Sequence, residues 1–166
     1  MRYNISVLDE IDRKIISYLQ YDGRMPYTVI TSELGITEAT VRRRVKHLMD
    51  NGKLQIVAIV EPKYLGFNEA AMIAISIQAN RIAAVTDEIA QLAEVTYLFQ
   101  AAGEFDLFIE IYCKDRSHLV SFLNNKLQQI AGVESIKTFI ILEMHKLSYH
   151  WGESSPSKID HQPPIL

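Results

Sequence analysis

Cysteine is almost missing from this chain. Cys113 is the only one among 166 residues, so no disulfide can close within one copy. It sits in an apolar run and reads as a small buried hydrophobe. No apolar stretch approaches the length of a membrane span, and the start, Met1-Arg2-Tyr3-Asn4-Ile5-Ser6, lacks the apolar segment of a signal peptide. A cytoplasmic protein with no membrane partner is expected. There is no G-x-S-x-G elbow, no phosphate-cradling glycine loop and no dinucleotide fingerprint. The five histidines, His47, His118, His145, His150 and His161, make no metal-ligand pair with cysteine or with one another at helix spacing. No catalytic residue, metal or cofactor is expected, and the chain reads as a non-enzyme.

What is present is a globular composition, 48% hydrophobic and 22% charged. The net charge of −3 is unevenly spread. Residues 1–63 carry ten Lys/Arg against eight Asp/Glu, and the remainder carries seven against twelve. Positive charge is therefore local, and concentrated in one short segment.

That segment begins with Gly35, a turn residue, and Thr37, whose hydroxyl suits a helix N-cap. Glu38 follows in the first turn, at the positive end of the helix dipole. Val41, Val45 and Leu48 recur at helical spacing and form a buried stripe. Ala39, Thr40, Arg43, Lys46 and His47 point away from it, with Arg42 and Arg44 at its flanks. Upstream, Leu8, Ile11, Ile15 and Leu19 space a first helix, and Ile30 and Leu34 a second that starts near Pro26. Two helices, a glycine turn and a third helix bearing arginines form a helix-turn-helix, whose last helix enters the major groove of double-stranded DNA. The competing reading is an ordinary three-helix core with a solvated basic face. Residues 54–60 read as a strand, which would make the unit winged. So weakly basic a module binds DNA poorly alone, because affinity grows with phosphates neutralised. This points to two or more copies acting together.

After Pro62 the pattern alternates. Ile73, Ile75 and Ile77 mark a strand, Ile82 to Leu92 a helix, and residues 95–101 a second strand. Leu107, Ile109, Ile111 and Cys113 mark a third strand. Asp115 caps a helix carrying Leu119, Phe122, Leu123, Leu127 and Ile130, and a last strand runs from 133 to about 146. Gln91-Leu92-Ala93-Glu94-Val95 recurs as Gln129-Ile130-Ala131-Gly132-Val133 at the two helix-to-strand junctions. Two βαβ units give a ferredoxin-like βαββαβ sandwich with helices on one sheet face. The other face carries Phe108, Tyr112 or their strand-mates and calls for a partner sheet, hence a dimer. RNA-recognition modules share this order, but the strand from Phe105 to Tyr112 holds two acids and no cation, which repels phosphate. The expected class is α+β: an N-terminal winged helix-turn-helix domain (1–53), a strand or hinge (54–64), a ferredoxin-like domain (65–150) and a polar tail (151–166).

The turn Ala102-Gly103-Glu104-Phe105-Asp106 admits two readings. It is either a hairpin turn with a solvated acid, or a place where a ligand approaches bare backbone and Asp106 holds an ammonium group.

These motifs together resemble the Lrp/AsnC (leucine-responsive, feast/famine) family of transcription regulators, from Leu8 to about Lys146. The likeness rests on Leu8-Asp9-x-x-Asp12-Arg13-Lys14-Ile15, on Leu19-Gln20-x-Asp22-Gly23-Arg24, and on Gly35-Ile36-Thr37-x-x-Thr40-Val41-x-x-Arg44-Val45-Lys46-x-Leu48. It rests further on Gly103-x-x-Asp106, and on Gly132-Val133 with Thr138. The resemblance implies DNA-binding homodimers that assemble to higher even oligomers, and amino-acid effectors bound between dimers around the Gly103 turn. Ala102 replaces a threonine common in the family, and Leu107 an aromatic. Some relatives are haem-pathway decarboxylases, but the histidine–arginine cluster such an activity needs is missing. A small-molecule sensor without a DNA role is the other alternative.

The expected DNA interface is Thr37, Glu38, Ala39, Thr40, Arg42, Arg43, Arg44, Lys46 and His47. Thr40 and Arg43 should reach base edges, Ala39 the groove floor, and Arg42, Arg44, Lys46 and His47 phosphates. The expected effector site is Ala102, Gly103, Glu104, Phe105 and Asp106, with a hydroxyl from Thr138. Backbone amides of the turn would take the effector's carboxylate.

Overall fold

The computed structural model describes residues 8–151. The expectations for the N-terminal segment, His161 and all but the first residue of the tail lie outside the described residues. The chain divides into two units, one running to Ile59 and resuming at Lys146, the other spanning Val60–His145. Residues 146–150, expected to finish the second domain, group with the first unit. There the His150 ring stacks on Tyr21 with centroids 6.5 Å apart.

In the first unit, α1 spans Glu10–Tyr21. Asp9 is its N-cap and Asp12 its N3 residue, and the two carboxylates satisfy each other's backbone amides in a capping box. Helix α2 spans Tyr27–Leu34 and ends on Gly35 in the left-handed conformation at φ 64°. A glycine adopts that conformation without Cβ strain, which permits the abrupt turn. Helix α3 spans Glu38–Asp50. Its first turn is closed by Thr37, whose Oγ1 accepts from the Thr40 amide at 3.2 Å. Ile15, Tyr18, Leu19, Met25, Ile30, Val41 and Val45 form the shared core, which draws on all three helices. Residues 54–60 form no strand. A ladder needs a second strand, and the unit supplies none, so the expected wing is not formed within a single chain.

In the second unit a 3₁₀ turn at Pro62–Leu65 leads to β1 (Glu69–Ile77), α4 (Ile82–Ile89), β2 (Val95–Gln100), β3 (Leu107–Cys113), α5 (Arg116–Asn125) and β4 (Val133–Ile140). The sheet order is β2-β3-β1-β4, antiparallel throughout, as two βαβ units require. Alternation sorts the side chains. Ile73, Ile75, Leu107, Ile109 and Ile111 face the helices and pack with Val85, Ile89, Leu119 and Phe122. Cys113 lies in this core, where burial and the neighbouring carboxylates push its thiol up to about 11, so it is an inert hydrophobe. Phe99, Phe108, Tyr97, Met72 and Phe139 lie on the other face.

Strand β4 is shorter than its alternation suggests. Ile140 pairs with Ala71, the Ile141 amide bonds to Ala70, and there β1 runs out. Ladder length is set by the partner. No helix among the described residues is long and apolar enough to cross a membrane.

Candidate nucleic-acid interface and effector turn

The basic residues of α3 separate into three kinds of environment. Arg42 is braced: its Nη2 lies 2.7 Å from Glu38 Oε1, one turn back, and its guanidinium sits 5.5 Å from the centre of the Tyr27 ring. Arg44 turns inward. Its Nη1 donates to Asp9 Oδ2 at 2.6 Å and to Asp12 Oδ1 at 2.8 Å, and the side chain is 26% exposed. Arg43 and Lys46 are exposed and make no ion pair among the described residues.

Arg44, expected among the phosphate contacts, is engaged in the free chain by two carboxylates at the start of α1. A residue on the flank of a buried stripe lies within reach of the neighbouring helix, and here that helix offers two anions. The Asp12 amide first, then Arg44, hold the Asp9 carboxyl below the usual carboxylate range.

The remaining members of the interface surround the start of α3. Ala39 is exposed. Thr40 is half-buried, and its hydroxyl shares a hydrogen with Thr37 Oγ1 at 2.9 Å. His47 lies on the exposed side near the helix end, its carbonyl accepting from Asn51 Nδ2 at 2.7 Å. Thr37, Glu38, Ala39, Thr40, Arg43, Lys46 and His47 thus share one helix, from its capped start to its last turn. Asp9 and Asp12 were missed as partners of this surface. Their three-residue spacing signals a helix start, but nothing local marks a bond to a residue more than thirty positions away.

The effector turn is open. Ala102, Gly103 and Glu104 are exposed, and a Cβ at Gly103 would meet nothing within 4 Å. Asp106 is not a free acid waiting for an ammonium group. Its Oδ2 accepts from the Ile77 amide at 2.7 Å, and its own amide donates to Ile75 O at 3.0 Å. The carboxylate extends the β1–β3 contact past Ile75 and Leu107, the last residues paired in that ladder. Phe105 packs edge-on against Phe108, with centroids 6.2 Å apart.

Thr138 does not join this turn within one chain. It pairs with Ile73 and so shares the helix-facing side. Asp106 bonds β1 two to four residues further along and from the opposite edge. Strand geometry puts roughly 14 Å between them. The structure gathers the turn residues and leaves Thr138 apart from them.

Residues 8–49 match the family model of the AsnC-type helix-turn-helix domain, and residues 70–151 that of the Lrp/AsnC ligand binding domain. An HTH-type transcriptional regulator of Pyrococcus furiosus is 37% identical over 86% of this chain and 97% of its own length. The HTH-type transcriptional regulator FL11 of Pyrococcus abyssi is 36% identical over 84% of this chain and 92% of its own. Among solved structures, E. coli AsnC superposes with a TM-score of 0.75 at 27% identity, covering 85% of this chain and 96% of that one. The transcriptional regulator NMB0573 of Neisseria meningitidis, solved as its L-Met complex, shares the fold with a TM-score of 0.75 at 24% identity, over 88% and 97% of the two chains. With an AsnC-type helix-turn-helix ahead of a four-stranded ligand-binding domain, the chain belongs to the Lrp/AsnC family of transcriptional regulators.

Proposed function

We propose that this regulator binds double-stranded DNA sequence-specifically, as a homodimer or higher even oligomer, and that a free amino acid bound at the second unit adjusts the binding. The observation that carries the DNA reading is the state of Arg43 and Lys46. They are exposed cations on a capped helix with no ion-pair partner among the described residues. Arg43 presents a fork suited to a guanine edge, and Lys46 a point charge suited to a phosphate. The Thr37 cap and the turn at Gly35 present the N-terminal part of α3, which is the end that contacts bases in this motif.

The open aromatic face of the sheet supports association with a second copy. Tyr97 is 56% exposed, Phe99 41% and Phe139 46%, and exposed apolar surface of this kind on a sheet face is stable in water when another sheet covers it. A two-fold dimer sets two copies of α3 roughly 34 Å apart, or a multiple of that, so the preferred site is a pseudo-palindrome. The amino-acid reading rests on the matched ligand-binding model and on the open backbone at Ala102, Gly103 and Glu104. The L-Met complex of NMB0573 points the same way. An ammonium group at Asp106 would share the carboxylate with the Ile77 amide.

Titration of the full chain against duplexes selected from a random pool, at several salt concentrations, tests the DNA reading. Sequence-dependent affinity that falls steeply with salt is expected. No salt-dependent affinity for any duplex would leave a small-molecule sensor as the better reading. A thermal-shift screen of the twenty amino acids tests the effector, with stabilisation by at least one of them expected.

A further inference from the structure

We infer that Arg44 is a positioning residue for DNA recognition, acting through Asp9 and Asp12 to fix the rotation of α3; this rests on the DNA-binding reading above.

The two carboxylates are divided with economy. Asp9 gives Oδ1 to the Asp12 amide and Oδ2 to Arg44, while Asp12 gives Oδ2 to the Asp9 amide and Oδ1 to Arg44. One guanidinium nitrogen, Nη1, serves both acids. Arg44 Nε is buried with no hydrogen-bond partner among the described residues, and Asp12 is only 18% exposed. The arginine is therefore committed to its own chain. Its side chain is 26% exposed, and moving it to a phosphate would leave two like charges side by side at the start of α1.

Geometry gives the consequence. Arg44 is at the middle of α3, and its anchors are the cap of α1. Each helical residue is turned about 100° from the last, so fixing Arg44 fixes the direction of Arg43. Without it, α3 is held azimuthally by Val41, Val45 and Leu48, an apolar stripe that tolerates sliding, and by the cation–π contact of Arg42 with Tyr27 on α2. Charge-assisted bonds to a capped helix end do not, because they are directional. The same contact also offsets one of the two negative charges that border a surface meant for DNA.

The experiment uses the full chain with Arg44→Gln, Arg44→Lys, Asp12→Asn and the Arg44→Gln/Asp12→Asn double variant. Each is titrated against a selected duplex and a scrambled one across a salt series, with thermal melting to show that it is folded. Arg44→Gln is expected to weaken specific binding about tenfold, the worth of one charge-assisted contact. The slope of log affinity against log salt should not change. Asp12→Asn removes a negative charge, which simple attraction to DNA would reward; it is expected to weaken specific binding instead. The double variant should lose no more than the worse single one, and Arg44→Lys should fall between Gln and wild type. A slope reduced by about one in Arg44→Gln, the signature of a lost phosphate contact, would overturn the inference. So would Asp12→Asn binding as tightly as wild type, and this second result stands even if Arg44→Gln does not fold. A wild-type chain with no duplex affinity overturns the DNA reading itself, an outcome distinct from a changed slope.

Discussion

The carboxylate of Asp106 and the amide of Ile77 are 2.7 Å apart, and their bond ties the β2–β3 turn to the end of the central strand β1. The Ile77 amide has this as its partner, so deletion leaves a half-buried donor unsatisfied. Asp106→Ala should lower stability by about 1–3 kcal/mol in urea unfolding. Asp106→Asn, which keeps an acceptor oxygen, should lose much less. Equal losses in the two would show that charge, not the bond, matters there. Effector assays should therefore use Asp106→Asn, because the alanine confounds ligand loss with turn loss.

Gly132 joins α5 to β4 at φ +110°, and a Cβ there would lie 2.8 Å from Arg81 Cβ and 3.1 Å from Val85 Cγ2. Backbone strain and collision both oppose a side chain. Gly132→Ala should cost about 2–4 kcal/mol, measured by the urea midpoint. A shift worth less than about 0.5 kcal/mol would mean that the junction relaxes freely.

Glu94 is 8% exposed, and its Oε1 is held by Lys126 Nζ at 2.6 Å and by His118 Nε2 at 3.1 Å. The Lys114 amide donates to His118 Nδ1, so the hydrogen on Nε2 is the one that points at Glu94. Burial pushes the Glu94 carboxyl up, but Lys126, the backbone and His118 together bring it below its ordinary value. A carboxyl lowered in the folded state adds stability above the ordinary glutamate range. That stability is lost as pH falls through the range and below it. Glu94→Gln should therefore be less stable than wild type near neutrality, and the gap should narrow on acidification. Denaturation at a series of pH values checks this, and a gap that widens in acid contradicts it.

Arg43 and Lys46 should behave differently on DNA. Arg43→Ala is expected to cost about 1–3 kcal/mol and to relax preference at one base position, whereas Lys46→Ala should weaken all sequences alike and flatten the salt slope by about one. Gel-shift titration on matched and mutated duplexes separates them. If both lose only non-specific binding, the base-reading residue is elsewhere on α3.

Phe99 stacks on Phe108 with centroids 5.4 Å apart and planes 8° from parallel, on the sheet face without helices. Phe99→Lys places a charge there without entering the core. Light scattering should report a smaller assembly with far-UV circular dichroism unchanged. An undiminished assembly would place the self-contact on another surface.

Local rules carried the reading wherever the deciding contacts are local. The Thr37 cap, the Gly35 turn, the Val41–Val45–Leu48 stripe and the Asp115 cap on α5 all depend on neighbours within a turn, and all are present. The two halves of the second unit showed their sheet order through repetition. Three features were hidden because a distant strand or helix decides them. Arg44 chose anions 32 and 35 residues away. Asp106 was taken by an amide 29 residues back. Thr138 was set against Ile73 by the β1–β4 register, on the opposite edge of β1 from Asp106.

Residues 55–60 make no backbone hydrogen bond among the described residues, and Val57, Ile59 and Val60 are 60%, 49% and 48% exposed. Such a run is a template on which another extended chain can grow. Dilution during refolding is therefore expected to favour correct pairing over mispairing at this run. A lysine at Val57 is the economical safeguard for anyone preparing it in quantity.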